Sequence, residues 1–140
     1  MSFEFQDLTL GSLCEVVTKG TTPTTVGHKF QTYGVNFVKS ESSLFDGRID
    51  SSKFAFIDEA AHASLKRSQL QEGDILFSMA GVYIGKTAVV SKSILPANTN
   101  QAVGIVRLDK KKAIPEYINY YLRNPIYNRF LNNLVSQSAQ

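Results

Sequence analysis

The segment from Glu72 to Lys86 constrains this chain more than any other. Asp74-Ile75-Leu76-Phe77-Ser78 is a short apolar run entered through Gly73, and Gly81 and Gly85 punctuate the next stretch before Thr87 to Ser91 resumes a strand pattern. The spacing predicts a buried strand, a glycine-bearing loop carrying Ser78, Tyr83 and Lys86, and a second strand. A dozen residues on, Asn98-Thr99-Asn100-Gln101 reads as an amide-rich turn. Short polar side chains and bare backbone on loops between stiff strands suit a surface that reads hydrogen-bonding edges, and suit catalysis less well.

The remaining pattern completes a mixed architecture. Leu8, Leu10, Leu13, Val16 and Val17 recur at helical intervals, so residues 7–17 are expected to form a short amphipathic helix closed by Gly20. A Thr-Thr-Pro-Thr-Thr loop comes next at 21–25. Val35 to Val38 and Phe54 to Ile57 read as strands, separated by a hydroxyl-rich turn at 39–43 and an Asp46-Gly47 turn. Asp58 is placed to cap a helix running toward Leu65, with Lys66 and Arg67 near its C-terminal end. Ala102 to Leu108 alternates as a strand. Pro115 opens a helix whose Tyr117, Ile118, Tyr121 and Leu122 share a face, and Asn124-Pro125 restarts a second helix carrying Ile126, Phe130, Leu131 and Leu134. Several strands with peripheral helices predict an α+β fold with a curved, partly barrel-like mixed β-sheet.

With 140 residues, 43% of them hydrophobic and 11% aromatic, the chain has the size and core of one domain spanning 1–140, and 136–140 read as the start of a spacer junction or a disordered end. No run approaches the roughly 18 apolar residues of a membrane span, and the acidic, polar opening does not resemble a signal peptide. A cytoplasmic protein without a membrane partner is expected. Cys14 stands alone, which leaves no disulfide framework or cysteine metal site within one chain. The net charge of +3 is unevenly spread: through Ala60 there are five basic and eight acidic residues, net −3, and from Ala61 onward ten basic and four acidic, net +6. The positive second half is compatible with a polyanionic partner.

Catalytic patterns fail on inspection. Gly81 to Lys86 lacks the first glycine of a phosphate-binding loop, because position 80 is Ala, and Thr87 onward continues as a strand where a helix is required. Ser78 is not on a Gly-x-Ser-x-Gly elbow. His28 and His62 have no partners at metal spacing, and Asp74 beside Gly73 reads as a turn cap. Asn124-Pro125-Ile126-Tyr127 is similar to the Asn-Pro-Pro-Tyr tetrad of amino-methyltransferases, yet lacks its second proline and any glycine-rich turn for a methyl donor. No catalytic residue, cofactor or metal is expected.

What remains is a set of loop residues able to contact nucleic acid: Lys39, Ser40, Arg48, Lys66, Arg67, Tyr83, Lys86, Asn98, Asn100 and Gln101. Arginine and lysine reach guanine O6/N7 and phosphates, and asparagine and glutamine pair with adenine N6/N7. The order of motifs resembles the target-recognition domain of type I restriction-modification specificity subunits. The match runs through Leu10 to Val16, Gly20-Thr21-Thr22-Pro23, Val35 to Val38, Leu70 to Ser78, Ile84-Gly85-Lys86, Asn100-Gln101 and Gln137-Ser138-Ala139-Gln140.

The resemblance implies a non-catalytic module reading one half of a bipartite duplex DNA target, with separate modification and restriction subunits as partners. It also implies a second target-recognition domain, or a homodimer partner if the chain is a half-size subunit rather than an excised module. Two other classes stay open: a protein-interaction domain using the Tyr117/Ile118/Tyr121/Leu122 face, and a nuclease or methyltransferase fragment.

Overall fold

The computed structural model describes residues 2–43, 46–129 and 133. Its strands are β1 Cys14–Lys19, β2 Val35–Val38, β3 Ala55–Ile57, β4 Ile75–Ser78, β5 Thr87–Val89, β6 Ala97–Thr99 and β7 Val103–Leu108, with helices α1 Glu59–Ser64 and α2 Pro115–Leu122. The α+β class is as expected. The β structure is divided between two sheets and does not close into a barrel: an antiparallel sheet in the order β1-β7-β4-β5, and a mixed sheet in the order β3-β2-β6, where β2 runs antiparallel to β3 and parallel to β6.

Alternation along the strands explains the layering. In β4, Ile75 points to one face and Leu76 to the other. Leu76, Val103 and Ile105 meet Val38 and Ala97 of the mixed sheet, with Leu70, Val90 and Ile94, in one buried cluster between the sheets. On the outer face of the first sheet, Ile75, Val106 and Leu108 pack with Leu122 of α2, and Ile118 and Tyr127 lie against them. On the outer face of the mixed sheet, Val35, Phe37 and Ile57 pack with Ala61 and Leu65 at α1. The Phe30 ring closes edge-on over Phe37, with centroids 5.2 Å apart.

Local chemistry sets the helix ends. Asp58 caps α1 by accepting from the Ala61 N–H at 2.7 Å, a contact worth about 1 kcal/mol. Pro115 opens α2 as expected. Asn124 accepts from the Ile126 N–H at 2.9 Å, and 125–129 are helical. Phe130, Leu131, Leu134 and the 136–140 junction lie outside the described residues.

Three expectations are corrected. Residues 7–17 do not form a helix; Gly11–Leu13 make a 3-10 turn and Cys14–Lys19 form β1, paired with β7 and alternating half-buried with exposed. The Val16-Val17-Thr18 run is β-branched and has a ladder partner, and these outweigh the helical spacing of the leucines. Gly20 does not stop a helix: a Cβ there would lie 2.2 Å from the carbonyl oxygens of Thr99 and Asn100, so only glycine permits the approach. Finally, Asn98 and Thr99 belong to a buried strand, and the turn is confined to residues 100–102.

Candidate nucleic-acid interface

The strand registers bring several loops to one end of the molecule. Lys19 pairs with Gly104, Ser78 with Val103 and Phe77 with Thr87. The segment after β1, the β4–β5 loop and the β6–β7 turn therefore emerge together. Backbone hydrogen bonds lock them: Gly20 N–H to Val103 O at 3.0 Å, Thr21 N–H to Thr99 O at 3.0 Å, Met79 N–H to Ala102 O at 2.8 Å, and Gly85 N–H to Ser78 O at 2.8 Å. The left-handed backbones of Gly81 (φ 71°) and Gly85 (φ 85°) let the β4–β5 loop turn sharply enough to return.

Six of the sequence-predicted residues meet at this end. Tyr83 and Lys86 form a cation–π pair, with Nζ 4.5 Å from the ring centroid. Gln101 is exposed at the turn. Asn100 braces that turn by accepting from the Ala102 N–H at 3.1 Å, so its NH2 group is what it offers outward. Arg67 donates from Nη2 to the Thr21 hydroxyl at 3.0 Å, which ties the 3-10 turn Lys66–Ser68 to the segment after β1. Lys66 is exposed beside it.

The other predicted residues are placed differently. Asn98 is fully buried, so it is not available to a base edge. Its Oδ1 accepts from the Thr99 N–H at 3.0 Å, while Nδ2 donates to Leu65 O at 3.2 Å and faces His62 Nδ1 at 3.3 Å. Ser40 is buried too, its hydroxyl without a partner among the described residues. The register of Val38 with Thr99 leads Lys39 out at the loop end, where its ammonium pairs with Glu41 at 2.8 Å. Arg48 lies at the opposite end: the Gly47 carbonyl before it accepts from the Val89 N–H at the far end of β5. Its guanidinium pairs with Asp46, which holds the Asp46 carboxyl below its ordinary range.

Sequence reasoning missed several groups that hold the elements together. Asp74 is a turn cap as expected, accepting from the Gln71 N–H at 2.8 Å, but it is also fully buried in a two-pronged pair with Arg107, at 2.8 Å on each prong. The pair raises the Arg107 pKa. From sequence, Arg107 is no more than one residue of an alternating strand. Thr21 is legible only as part of a loop, and His28, bonded through Nε2 to the Ser64 hydroxyl at 2.8 Å, as a loop histidine. Burial lowers the His62 pKa, and because Asn98 presents its NH2 group, His62 Nδ1 is the acceptor of a neutral ring. Among the described residues, no three of His, Cys, Asp or Glu gather as a metal site would require. No helix among them is long and apolar enough to cross a membrane.

Residues 3–140 match the family model described as the type I restriction modification DNA specificity domain. Among solved structures, the chain is similar to the HsdS subunit from Thermoanaerobacter tengcongensis, with 18% identity over 95% of this chain and 32% of that one, at a TM-score of 0.62. It is also similar to a chain from work on complex assembly and conformational transition of the type I R-M system, with 17% identity over 84% of this chain and 28% of that one, at a TM-score of 0.59. At these identities the likeness is one of fold, and the chain spans about a third or less of each structure's length. No curated protein matches it.

Proposed function

This chain belongs to the type I restriction modification DNA specificity domain family, and on that premise we propose that it is a non-catalytic module reading one half of a bipartite duplex DNA target. The observation that carries this reading is the convergence of Tyr83, Lys86, Asn100, Gln101 and Arg67 on loops braced at one end of both sheets. The positive second half steers the module to phosphates. Lys66, Arg67, Lys86 and, at the margin, Lys39 then hold the backbone. Gln101 and the Asn100 NH2 group reach base edges in the major groove. Asn98 and Ser40 support the surface from beneath, and Arg48 lies away from it.

The whole chain acts as one unit in this role. Its partners are the modification and restriction subunits together with a second target-recognition domain, or a second copy of itself, and its setting is the cytoplasm. The experiment is selection from randomised duplex DNA at stated salt, with base-by-base affinity measurement on the product. A half-site consensus supports the reading, and binding that depends on salt but on no base rejects it.

A second use is favoured by one observation. Tyr117 and Tyr121, which share a helical face with Ile118 and Leu122, are 66% and 60% exposed, whereas Leu122 is buried and Ile118 is half-buried. The face therefore splits: its aliphatic half closes the core, and its tyrosine half suits a protein partner.

A further inference from the structure

We propose that Val82 is a specificity-determining residue that packs against the C5-methyl group of a thymine in the major groove. The inference rests on the reading of this end as a DNA-reading surface, and adds an apolar contact to its polar ones. The β4–β5 loop opens with Met79-Ala80-Gly81-Val82, four consecutive residues with no charged or hydrogen-bonding side chain, all exposed. They stand among groups of the opposite character. Tyr83 and Lys86 lie further along the same loop, and its root is tied to the 100–102 turn through the Met79 N–H.

Within this apolar stretch, Val82 is the outward group. Met79 is 39% exposed, and its sulfur leans back toward β7, 3.3 Å from where a Cβ on Gly104 would sit. Val82 is 88% exposed. It occupies the 3-10 turn Gly81–Tyr83, closed by Ile84 N–H to Gly81 O at 3.3 Å and Lys86 N–H to Tyr83 O at 3.1 Å. A β-branched side chain on a hydrogen-bonded turn has few rotamers, so the orientation of its methyls is set by the backbone.

An isolated exposed valine is ordinary on a protein surface. This one differs by its place, at the tip of the loop that carries the proposed DNA contacts. In the major groove the apolar feature of a base edge is the thymine methyl, and apolar side chains read it. Two methyl groups with no donor or acceptor fit that task and leave no polar atom unpaired. The side chain is short for a wedge between stacked bases, a role taken by Phe, Leu, Ile, Met or Pro.

The test uses the 140-residue chain and the duplex recovered by selection, with each thymine replaced singly by deoxyuridine, which lacks only the methyl group. Wild type is expected to lose about fourfold in affinity at one position, the factor for one buried methyl-sized group. Val82→Ser should lose a similar factor on the thymine duplex and be indifferent to deoxyuridine at that same position. The inference is overturned if wild type discriminates bases yet no thymine-to-deoxyuridine change matters, or if Val82→Ser remains sensitive at that position. Uniform weakening of all sequences by Val82→Ser also overturns it, and points to packing against backbone or protein instead. If selection yields no consensus, the DNA-reading role and this inference fall together. The wild-type deoxyuridine scan decides the question even if the variant folds poorly.

Discussion

The two ends of this molecule carry similar side chains in different circumstances. At the loop end, Lys66 and Gln101 are exposed and Lys86 is half-buried over the Tyr83 ring, on turns joined by backbone and side-chain hydrogen bonds. At the other end, Arg48 is paired with Asp46, and the Lys110 ammonium donates to the Glu72 carbonyl at 3.2 Å. Engagement by the chain itself does not separate the ends, since Lys39 pairs with Glu41, Arg67 bonds Thr21 and Lys86 lies over the Tyr83 ring; their place among the joined turns does. Charge count alone does not locate a binding surface; the bracing of the loops does.

Removing one member of a buried, mutually dependent set should have the largest effect. Arg107→Ala leaves the buried Asp74 carboxylate without its partner, and a loss of about 3 to 5 kcal/mol is expected in urea unfolding. Leu76→Ala, in the cluster joining the sheets, should cost about 2 to 5 kcal/mol by the same measurement. An equal loss from Asp46→Ala would erase the contrast between buried and exposed pairs, because the Asp46–Arg48 pair is exposed and should contribute little.

A smaller effect tests the joint between α1 and β6. Burial lowers the His62 pKa below its ordinary value of 6.5, and protonation would turn Nδ1 into a donor facing the Asn98 NH2 group. The unfolded chain therefore binds the proton more readily. Stability is fully present above about pH 6.5 and is lost as pH falls through the lowered folded value. The urea midpoint of wild type should fall over that window, and the fall should be smaller in His62→Gln. Lys86→Ala is expected to have the smallest effect, weakening all DNA sequences alike and reducing the salt slope by about 1.

Much of the fold is legible in the sequence, and the failures have physical causes. β4 can be read because an apolar run between glycines has few other solutions, and the Asp58 cap because capping is local chemistry. β1 reads as a helix because Leu8, Leu10 and Leu13 before it and its own Val16 and Val17 fit a 3.6-residue period, while the partner that makes it a strand, β7, lies about ninety positions away. Asn98 and Gln101 look alike in a four-residue amide cluster. Only the parallel pairing of β6 with β2 buries one and leaves the other exposed, and long-range pairing leaves no local signature. The Asp74–Arg107 pair is hidden for the same reason, its members being 33 residues apart.

The central claim is that base discrimination resides at the braced loop end. Its most direct test compares base-by-base affinity profiles of wild type, Gln101→Ala and Arg48→Ala on the selected half-site at one fixed salt concentration. Gln101→Ala should lose about 1 to 3 kcal/mol of discrimination at a single base pair, and Arg48→Ala should keep every base preference of the wild type. Relaxed preference in Arg48→Ala, with an unchanged profile in Gln101→Ala, would contradict the account.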